Sequence, residues 1–160
     1  MIYSCNYEDF RDIIFSAICG PIPKVVTIFL TNKPAAEKLE KIISDLTNEK
    51  PKRWDDKDFF HSSFVTENGA RISIYQREES SRLTRGFTCG FRTNDVIVDQ
   101  DYSLADFYEI YMPMCSLGGA TYSIDSHYIC SYFETEHKKG MDEIEYWKKV
   151  RKENDNKESN

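Results

Sequence analysis

The residues best suited to chemistry follow a short apolar run near the middle of the chain. Residues 96–98 are β-branched, and Asp99, Gln100 and Asp101 come directly after them. This pattern predicts a strand that is buried on both faces and ends where open α/β sheets bind ligands. In nucleotide hydrolases an Asp followed by a Glu at this point holds Mg²⁺ and orients the attacking water. Because Gln100 stands at the second position, the group that would act as general base is neutral here.

A longer stretch around this run is acidic and rich in tyrosine. Between Arg92 and Lys138 the chain has no Lys or Arg, but it has eight acidic residues and six tyrosines. A surface of this composition would suit a protein partner whose own surface is basic, such as a nucleic-acid-binding protein. An ordinary acidic surface with half-buried tyrosines would have the same composition. The predicted acidic face consists of Asp95, Asp101, Tyr102, Asp106, Tyr108, Glu109, Tyr111, Asp125, Tyr128, Tyr132, Glu134 and Glu136.

Composition limits the class of protein. The chain has 160 residues and a net charge of −6, with 40% hydrophobic and 30% charged residues. These values predict one globular domain over residues 1–153 and a disordered polar tail at 154–160. They argue against direct nucleic-acid binding, which requires a basic surface.

Cysteine usage and hydropathy indicate the compartment. The five cysteines are widely spaced and include no CxxC pair, which predicts reduced thiols and no metal site. No apolar run approaches the roughly 20 residues of a membrane span, and the first residues do not form a signal peptide. We therefore expect a cytoplasmic protein that has no cofactor and does not bind a membrane.

The elements that must position these residues alternate along the chain. Periodicity predicts strands at residues 1–5, 24–31, 96–98 and 120–124, and helices at 10–19, 34–46, 104–112 and 141–152. Alternating segments at 62–66 and 71–76 flank Asn68 and Gly69, which predicts a β-hairpin. Residues 48–58 and 78–90 are expected to form loops. This order predicts an α/β fold, a mainly parallel sheet with helices on both faces and an inserted hairpin.

Several motifs follow one another in a recognisable order. They are the strand and helix at residues 26–43, the hairpin at 67–72, an Arg-Gly step at Arg85, the strand at 95–99 and the segment 119–126. Together they resemble a strand and helix, the hairpin, the Arg-Gly step, the Walker B strand and the coupling motif in the ATPase domain of phage terminase large subunits. The resemblance implies a P-loop-ATPase-like fold and a phage origin, hence a location in the host cytoplasm. It also implies a residual nucleotide or metal position at Asp99, Asp101 and Arg85.

The chain departs from that family where the phosphate loop should be. A P-loop, G-x-x-x-x-G-K-[ST], wraps phosphates with backbone N–H groups and neutralises them with Lys. Between Cys5 and Phe10 this chain has only Asn-Tyr-Glu-Asp, and the two acids would repel a triphosphate. We therefore expect a degenerate P-loop-type fold that is not an enzyme and has no catalytic residues.

The expected function is consequently protein binding. The chain would act as an inhibitor or regulator that presents the predicted acidic face to a basic partner, such as a host defence protein. Two alternatives stay open. One is a nucleotide-binding or terminase-like ATPase remnant, and the other is an accessory subunit of a phage packaging or replication assembly.

Overall fold

A seven-stranded sheet forms the centre of the computed structural model, which describes residues 2–55, 59–77, 92–115 and 117–158. The strands are β1 (Ile2–Cys5), β2 (Val25–Leu30), β3 (Lys52–Asp55), β4 (Phe60–Val65), β5 (Arg71–Gln76), β6 (Asp95–Asp99) and β7 (Thr121–Ile124). They lie in the order β1-β7-β6-β2-β5-β4-β3. The first five in this order are parallel, and β4 and β3 are antiparallel additions at one edge. The predicted α/β class, with a mainly parallel sheet and an inserted hairpin, is confirmed.

Helices connect most of the parallel strands. The α-helices are α1 (Tyr7–Cys19), α2 (Lys33–Thr47), α3 (Leu104–Asp106), α4 (Ser126–Thr135) and α5 (His137–Glu158). The short helix α3 continues as a π-helix at Phe107–Tyr111 and as a 3₁₀-helix at Met112–Met114.

The two faces of the sheet are covered by different amounts of helix. On one face α1, α2, α4 and α5 pack against alternate strand residues, among them Ile28 and Ile97. On the other face residues 104–114 pack against Phe29 and Val98. Because β2 and β6 are buried on both sides, their sequences are continuously apolar and do not alternate. Helices on both faces, as predicted, are present.

Polar side chains fix both ends of α2. Asn32 accepts a hydrogen bond from the N–H of Ala35 at 3.2 Å, and Pro34 lies in the first turn, where its missing N–H has no cost. Asn48 ends the helix in the left-handed conformation, with φ of 59°. The start of α2 is therefore held directly after the end of β2, at the carboxyl edge of the parallel strands.

Residues 52–55 form an edge strand, whereas the sequence predicted a loop over residues 48–58. All four side chains of β3 are exposed, so the alternation that normally reveals a strand is missing. The strand pairs with β4, and ion pairs join it to α2: Arg53 to Glu40 at 3.4 Å and Asp55 to Lys33 at 2.8 Å. These tertiary contacts stabilise a strand that local composition does not indicate.

The C-terminal helices also differ from the prediction. The sequence does not predict α4, because its aromatic and β-branched residues have weak helix propensity. Asp125 starts this helix by accepting a hydrogen bond from the N–H of His127 at 3.0 Å. Helix α5 is longer than predicted at both ends and reaches Glu158, so residues 154–158 are helical and do not form a disordered tail. Lys, Arg and Glu, which favour helices, are frequent in the preceding residues 148–153, and the helix continues from there.

The helix predicted for residues 104–112 is irregular instead. It passes through a π-helix and a 3₁₀-helix, and Pro113 lies in the first turn of the latter, where proline is tolerated. The loop predicted for residues 78–90 lies outside the described residues.

Candidate functional site

Asp99 occupies the end of β6 and is fully buried, with a relative exposure of 0%. Its Oδ2 accepts hydrogen bonds from the backbone N–H of Thr31 at 3.2 Å and from the Thr31 hydroxyl at 2.8 Å. Its Oδ1 accepts a hydrogen bond from the N–H of Asp101 at 3.2 Å. The carboxylate therefore joins the end of β2 to the end of β6. Because Asp99 is enclosed, a metal ion or nucleotide could contact its oxygens only if the surrounding residues, Thr31 or Asp101 among them, moved.

The connection from β1 to α1 is a single residue, Asn6. Asn6 and Asp9 form a capping box: the Asn6 side chain accepts from the Asp9 N–H at 2.9 Å, and the Asp9 side chain accepts from the Asn6 N–H at 3.2 Å. Glu8 adds a second acid to the first turn of the helix. The start of α1 is thus closed by its own side chains, and a one-residue connection cannot wrap a phosphate group.

A cavity of about 430 Å³ opens at the carboxyl edge, between the ends of β2, β6 and β7. Its lining residues are Thr31, Asn32, Gln100, Asp101, Asp125, Ser126 and His127. The N–H of Gln100 donates to the carbonyl of Ile124 at 2.8 Å, which holds the turn after β6 beside the end of β7. Among the described residues the lining includes two carboxylates and no Lys or Arg, so these side chains favour a cationic group. We call it the carboxyl-edge cavity.

The structure brings only part of the predicted acidic face together. Asp101 and Asp125 line the carboxyl-edge cavity. Asp106, Tyr108 and Glu109 lie instead on the irregular helix that covers the other face of the sheet.

The acids and the exposed tyrosine of the helical face form a separate group. Tyr128 and Glu134 lie on α4, and Glu136 follows it. Glu134 pairs with Lys38 at 3.6 Å and Glu136 with Lys139 at 3.7 Å. These acids are partly neutralised within the chain.

Three tyrosines of the predicted acidic face are buried and cannot contact a partner at the surface. Tyr111 is fully buried, Tyr132 is 3% exposed and Tyr102 is 7% exposed. The Tyr102 hydroxyl lies 3.1 Å from the carbonyl oxygens of both Leu30 and Arg77. Burial raises the pKa of Tyr102 well above its ordinary value, and nearby Tyr111 and Asp99 raise it further. These side chains stabilise the core, because a tyrosine ring supplies apolar area and its hydroxyl can bond a carbonyl.

Asp95 lies where β6 begins, at the amino ends of the parallel strands and therefore opposite the carboxyl-edge cavity. Its Oδ1 accepts a hydrogen bond from the N–H of Ala120 at 3.1 Å. Gly119 approaches this point so closely that an added Cβ would lie 1.6 Å from the carbonyl oxygen of Asn94. Asp95 therefore orders the entry to β7 and is not part of the carboxyl-edge cavity.

Arg85, assigned to the residual nucleotide position, lies outside the described residues. Of the remaining two residues of that position, Asp99 is buried and Asp101 is exposed.

Sequence reasoning missed most of the neutral residues of the carboxyl-edge cavity. Thr31 and Asn32 follow β2, and Ser126 and His127 follow β7. A usable signal was present, since the carboxyl ends of neighbouring parallel strands meet at one edge. What the sequence lacked was the strand order, which places β6 between β7 and β2.

The cysteines in the described part of the chain are unpaired, and Cys5 is the most deeply buried of them. Cys5, Cys19, Cys115 and Cys130 are free, whereas Cys89 lies outside the described residues. Burial raises the pKa of Cys5 to about 12, and nearby Asp9 adds to the effect. A thiol with so high a pKa is a poor nucleophile at neutral pH.

The described part of the chain contains neither a clustered metal site nor a membrane-spanning helix. Within it, no group of three or more His, Cys, Asp or Glu residues could hold a metal ion. Nor is any helix in these residues both long enough and apolar enough to cross a membrane.

Comparison with known proteins gives similarity at the level of fold. No protein-family model matches the chain, and no curated protein matches it. Among solved structures, the large terminase of a thermophilic bacteriophage is similar over 89% of this chain and 38% of its own, with 11% identity and a TM-score of 0.49. Its complex with ADP matches 78% of this chain and 32% of its own, with 13% identity and a TM-score of 0.46.

A second terminase gives a comparable match. The ATPase domain of the large terminase of Thermus phage P74-26, as a variant, is similar over 77% of this chain and 58% of its own, with 13% identity and a TM-score of 0.42. The chain therefore spans less than two thirds of the length of these terminases. The motif resemblance and the structural neighbours name the same class of protein, and the likeness concerns the fold alone.

Proposed function

We propose that the protein is a non-catalytic binding module that docks a basic segment of a partner protein at the carboxyl edge of its sheet. In this role it inhibits or regulates the partner, for example a nucleic-acid-binding protein, because a docked basic segment can no longer contact phosphate groups. One observation carries the proposal: Asp101 and Asp125 line the same cavity, and no described Lys or Arg lines it with them.

The carboxyl-edge cavity has the size and chemistry to receive a Lys or Arg side chain. Its volume of about 430 Å³ falls within the roughly 300–1,000 Å³ of small-ligand sites. The exposed carboxylate of Asp101 can pair with an ammonium or guanidinium group. Gln100 and Ser126 add neutral oxygens that can accept further hydrogen bonds. Asp125 caps α4 with one oxygen, which leaves the other oxygen for a ligand.

Nucleotide binding, the main alternative, has weaker support from the same edge. Asp99 already accepts three hydrogen bonds from the chain. The connection after β1 is one residue long and is followed by the acids Glu8 and Asp9. A triphosphate at this edge would meet negative charge from α1 and from the carboxyl-edge cavity.

The test is the binding of a labelled Lys/Arg-rich peptide, followed by fluorescence anisotropy. The test variant combines Asp101→Asn with Asp125→Asn, which removes both charges from the cavity. Asn also caps helices well, so α4 should keep its start. We expect the double variant to bind the peptide about tenfold more weakly or worse, since a lost pairing with a partly desolvated charge typically costs that much or more.

A matched control removes two acids elsewhere, by Asp12→Asn and Glu49→Gln. Both positions are exposed and lie outside the cavity, so the control keeps the same net charge as the test variant. If both variants weaken the peptide equally, only the overall charge matters and the proposed site is wrong. Calorimetry with ATP and Mg²⁺ then tests the alternative, nucleotide binding. Binding that Asp99→Asn abolishes would support that alternative.

A further inference from the structure

Helix α5 presents an outward surface that no other described element covers. It spans His137–Glu158, and its buried residues are His137, Gly140 and Ile144. On its exposed side Tyr146 is 60% and Trp147 53% accessible, and their rings meet edge to face at 5.6 Å. Large adjacent aromatic residues on an exposed helix are typical of contact sites between proteins.

The charges on α5 follow a definite order around this aromatic pair. Residues three and four apart share a helix face, which puts five exposed residues on one outward stripe. These are Lys139, Asp142, Tyr146, Lys149 and Glu153. Read from Tyr146, the stripe has an acid and then a base toward the N-terminus, and a base and then an acid toward the C-terminus.

The usual explanation for mixed charges on a helix is pairing within the helix itself. In the described part of α5, however, no two charged side chains of the helix lie within ion-pair distance of each other. Lys139 contacts Glu136, which precedes the helix, at 3.7 Å. Asp142, Lys149 and Glu153 have no ion-pair partner among the described residues and are available to a second molecule, while Lys139 can exchange its exposed contact with Glu136 for one with a second copy.

We infer that the α5 stripe is a self-association surface, on which α5 of a second copy packs antiparallel about a two-fold axis near Tyr146. Lys139 and Glu153 are each seven residues from Tyr146, about 10.5 Å along the helix. An antiparallel second copy therefore brings its Glu153 to Lys139 and its Lys139 to Glu153. Asp142 and Lys149, four and three residues from Tyr146, meet in the same way. An axis of this kind closes the assembly as a dimer.

The order of the charges favours a second copy over an unrelated partner. A partner of different sequence would need only a surface of opposite charge. It would not require the charges of the stripe to pair with the same stripe running in the opposite direction. A parallel arrangement would place Lys139 against Lys139 and Glu153 against Glu153, which is repulsive. Exposed ion pairs contribute little each, so the aromatic centre must supply much of the affinity and the dimer should be weak and sensitive to salt.

Sedimentation equilibrium of the full chain over a range of protein concentrations tests this inference. We expect a reversible monomer–dimer equilibrium that weakens when salt is raised from 0.1 M to 1 M, which shortens the screening length from about 10 Å to about 3 Å. One variant, Lys139→Glu with Lys149→Glu, makes the stripe acidic. A second, Asp142→Lys with Glu153→Lys, makes it basic. Each alone should associate about tenfold more weakly or worse, because four attractive contacts become repulsive.

Mixing the two variants is the decisive measurement. An acidic stripe complements a basic one, so an equimolar mixture should form a heterodimer even though neither variant dimerises alone. The matched control, Lys50→Glu with Arg71→Glu, changes the net charge as the first variant does but at exposed sites away from α5, and it should dimerise like the wild type.

Three results would overturn the inference. They are a wild-type chain that stays monomeric up to about 1 mM, where even weak contacts are populated, a dimer that both double variants retain, and a mixture that stays monomeric. Circular dichroism checks that the variants are folded. If they are not, the milder Tyr146→Ser must weaken the dimer for the inference to stand.

Discussion

The Asp99 side chain links the ends of two strands, β2 and β6, by hydrogen bonds. A buried charge is tolerated only when donors surround it, and here Thr31 and the N–H of Asp101 supply them. The same type of residue at the end of a central strand can hold a metal ion when its oxygens are free. At this position both oxygens already accept hydrogen bonds from the chain. We therefore expect Asp99 to contribute to the stability of the fold and not to the binding of a ligand.

Replacement of Asp99 by Ala should therefore destabilise the protein strongly. The change leaves the N–H and hydroxyl of the half-buried Thr31 without their acceptor and removes a fully buried side chain, which typically costs about 1–3 kcal/mol. Urea unfolding followed by circular dichroism measures the loss. Asp101→Ala, at the exposed neighbour, should change the free energy of unfolding by less than about 0.5 kcal/mol. Equal effects of the two substitutions would show that the buried hydrogen bonds are not what stabilises this strand end.

At the scale of elements, the irregular helix over residues 104–114 combines aromatic packing against the sheet with a proline near its end. Tyr111 packs its ring against Phe29 at 4.7 Å and against Phe107 at 6.0 Å. A π-helical turn contains an extra residue and rotates the side chains that follow it. Phe107, Ile110 and Tyr111 face the sheet, as residues three and four apart do in a regular α-helix too. Pro113 has no N–H to donate, so the regular hydrogen-bond pattern cannot continue through it.

The junction between α4 and α5 depends on a glycine. Gly140 lies where α5 crosses α4 and α1, and an added Cβ would lie 2.5 Å from Tyr132 Oη and 3.1 Å from Phe15 Cζ. The absence of a side chain at this point lets the helices approach each other. The backbone freedom of glycine is not needed, because Gly140 is helical.

We expect Gly140→Ala to destabilise the protein by about 1–2 kcal/mol through overpacking, although Ala normally stabilises a helix by up to about 1 kcal/mol relative to Gly. Thermal and urea unfolding report the change. Asn154→Ala, at an exposed site of the same helix, should be neutral or slightly stabilising. Combining Gly140→Ala with Tyr132→Phe removes the atom that the new methyl group meets, so the two effects should not add. Strict additivity would rule out the close contact as the cause.

At the scale of the whole molecule, the sequence predicted the class of fold but not every strand and helix. The buried strands and α2 were predictable because their apolar periodicity is strong and their ends carry Asn32 and Pro34 as signals. The edge strand β3 and helix α4 were not, since β3 is fully exposed and α4 is built from weak helix formers. Both depend on contacts with elements distant in sequence.

The candidate site was predictable only in part for a related reason. The sequence predicts Asp101 and Asp125 as members of one acidic face, but only the strand order brings them into one cavity. Tyr102, Tyr111 and Tyr132 were assigned to the surface because composition cannot tell a half-exposed tyrosine from a buried one. Asp95 was assigned with them, although it lies at the other edge of the sheet.

A polar contact between α2 and α5 makes part of the stability of the fold depend on pH. Asp45 on α2 lies 2.8 Å from the Nε2 of His137 at the start of α5 and 2.8 Å from the Lys41 ammonium. Burial alone raises the pKa of Asp45, but the hydrogen bonds from Lys41 and then His137 outweigh it, and the net pKa lies below the ordinary value. The folded chain therefore binds this proton less tightly than the unfolded chain does.

This linkage fixes the sign of the pH dependence. The stabilisation from Asp45 is complete above the unfolded pKa, about 3.9, and it is lost as pH falls through the lower folded pKa. Urea unfolding between about pH 2 and pH 6 measures this effect. The free energy of unfolding of the wild type should rise with pH over this range, and Asp45→Asn should remove part of that rise. The difference should stay below about 1 kcal/mol, because the pair is partly exposed. Glu49→Gln, at an exposed acid two residues after the end of α2, should leave the profile unchanged. If Asp45→Asn also leaves it unchanged, the contact between α2 and α5 contributes nothing to the acid sensitivity of the fold.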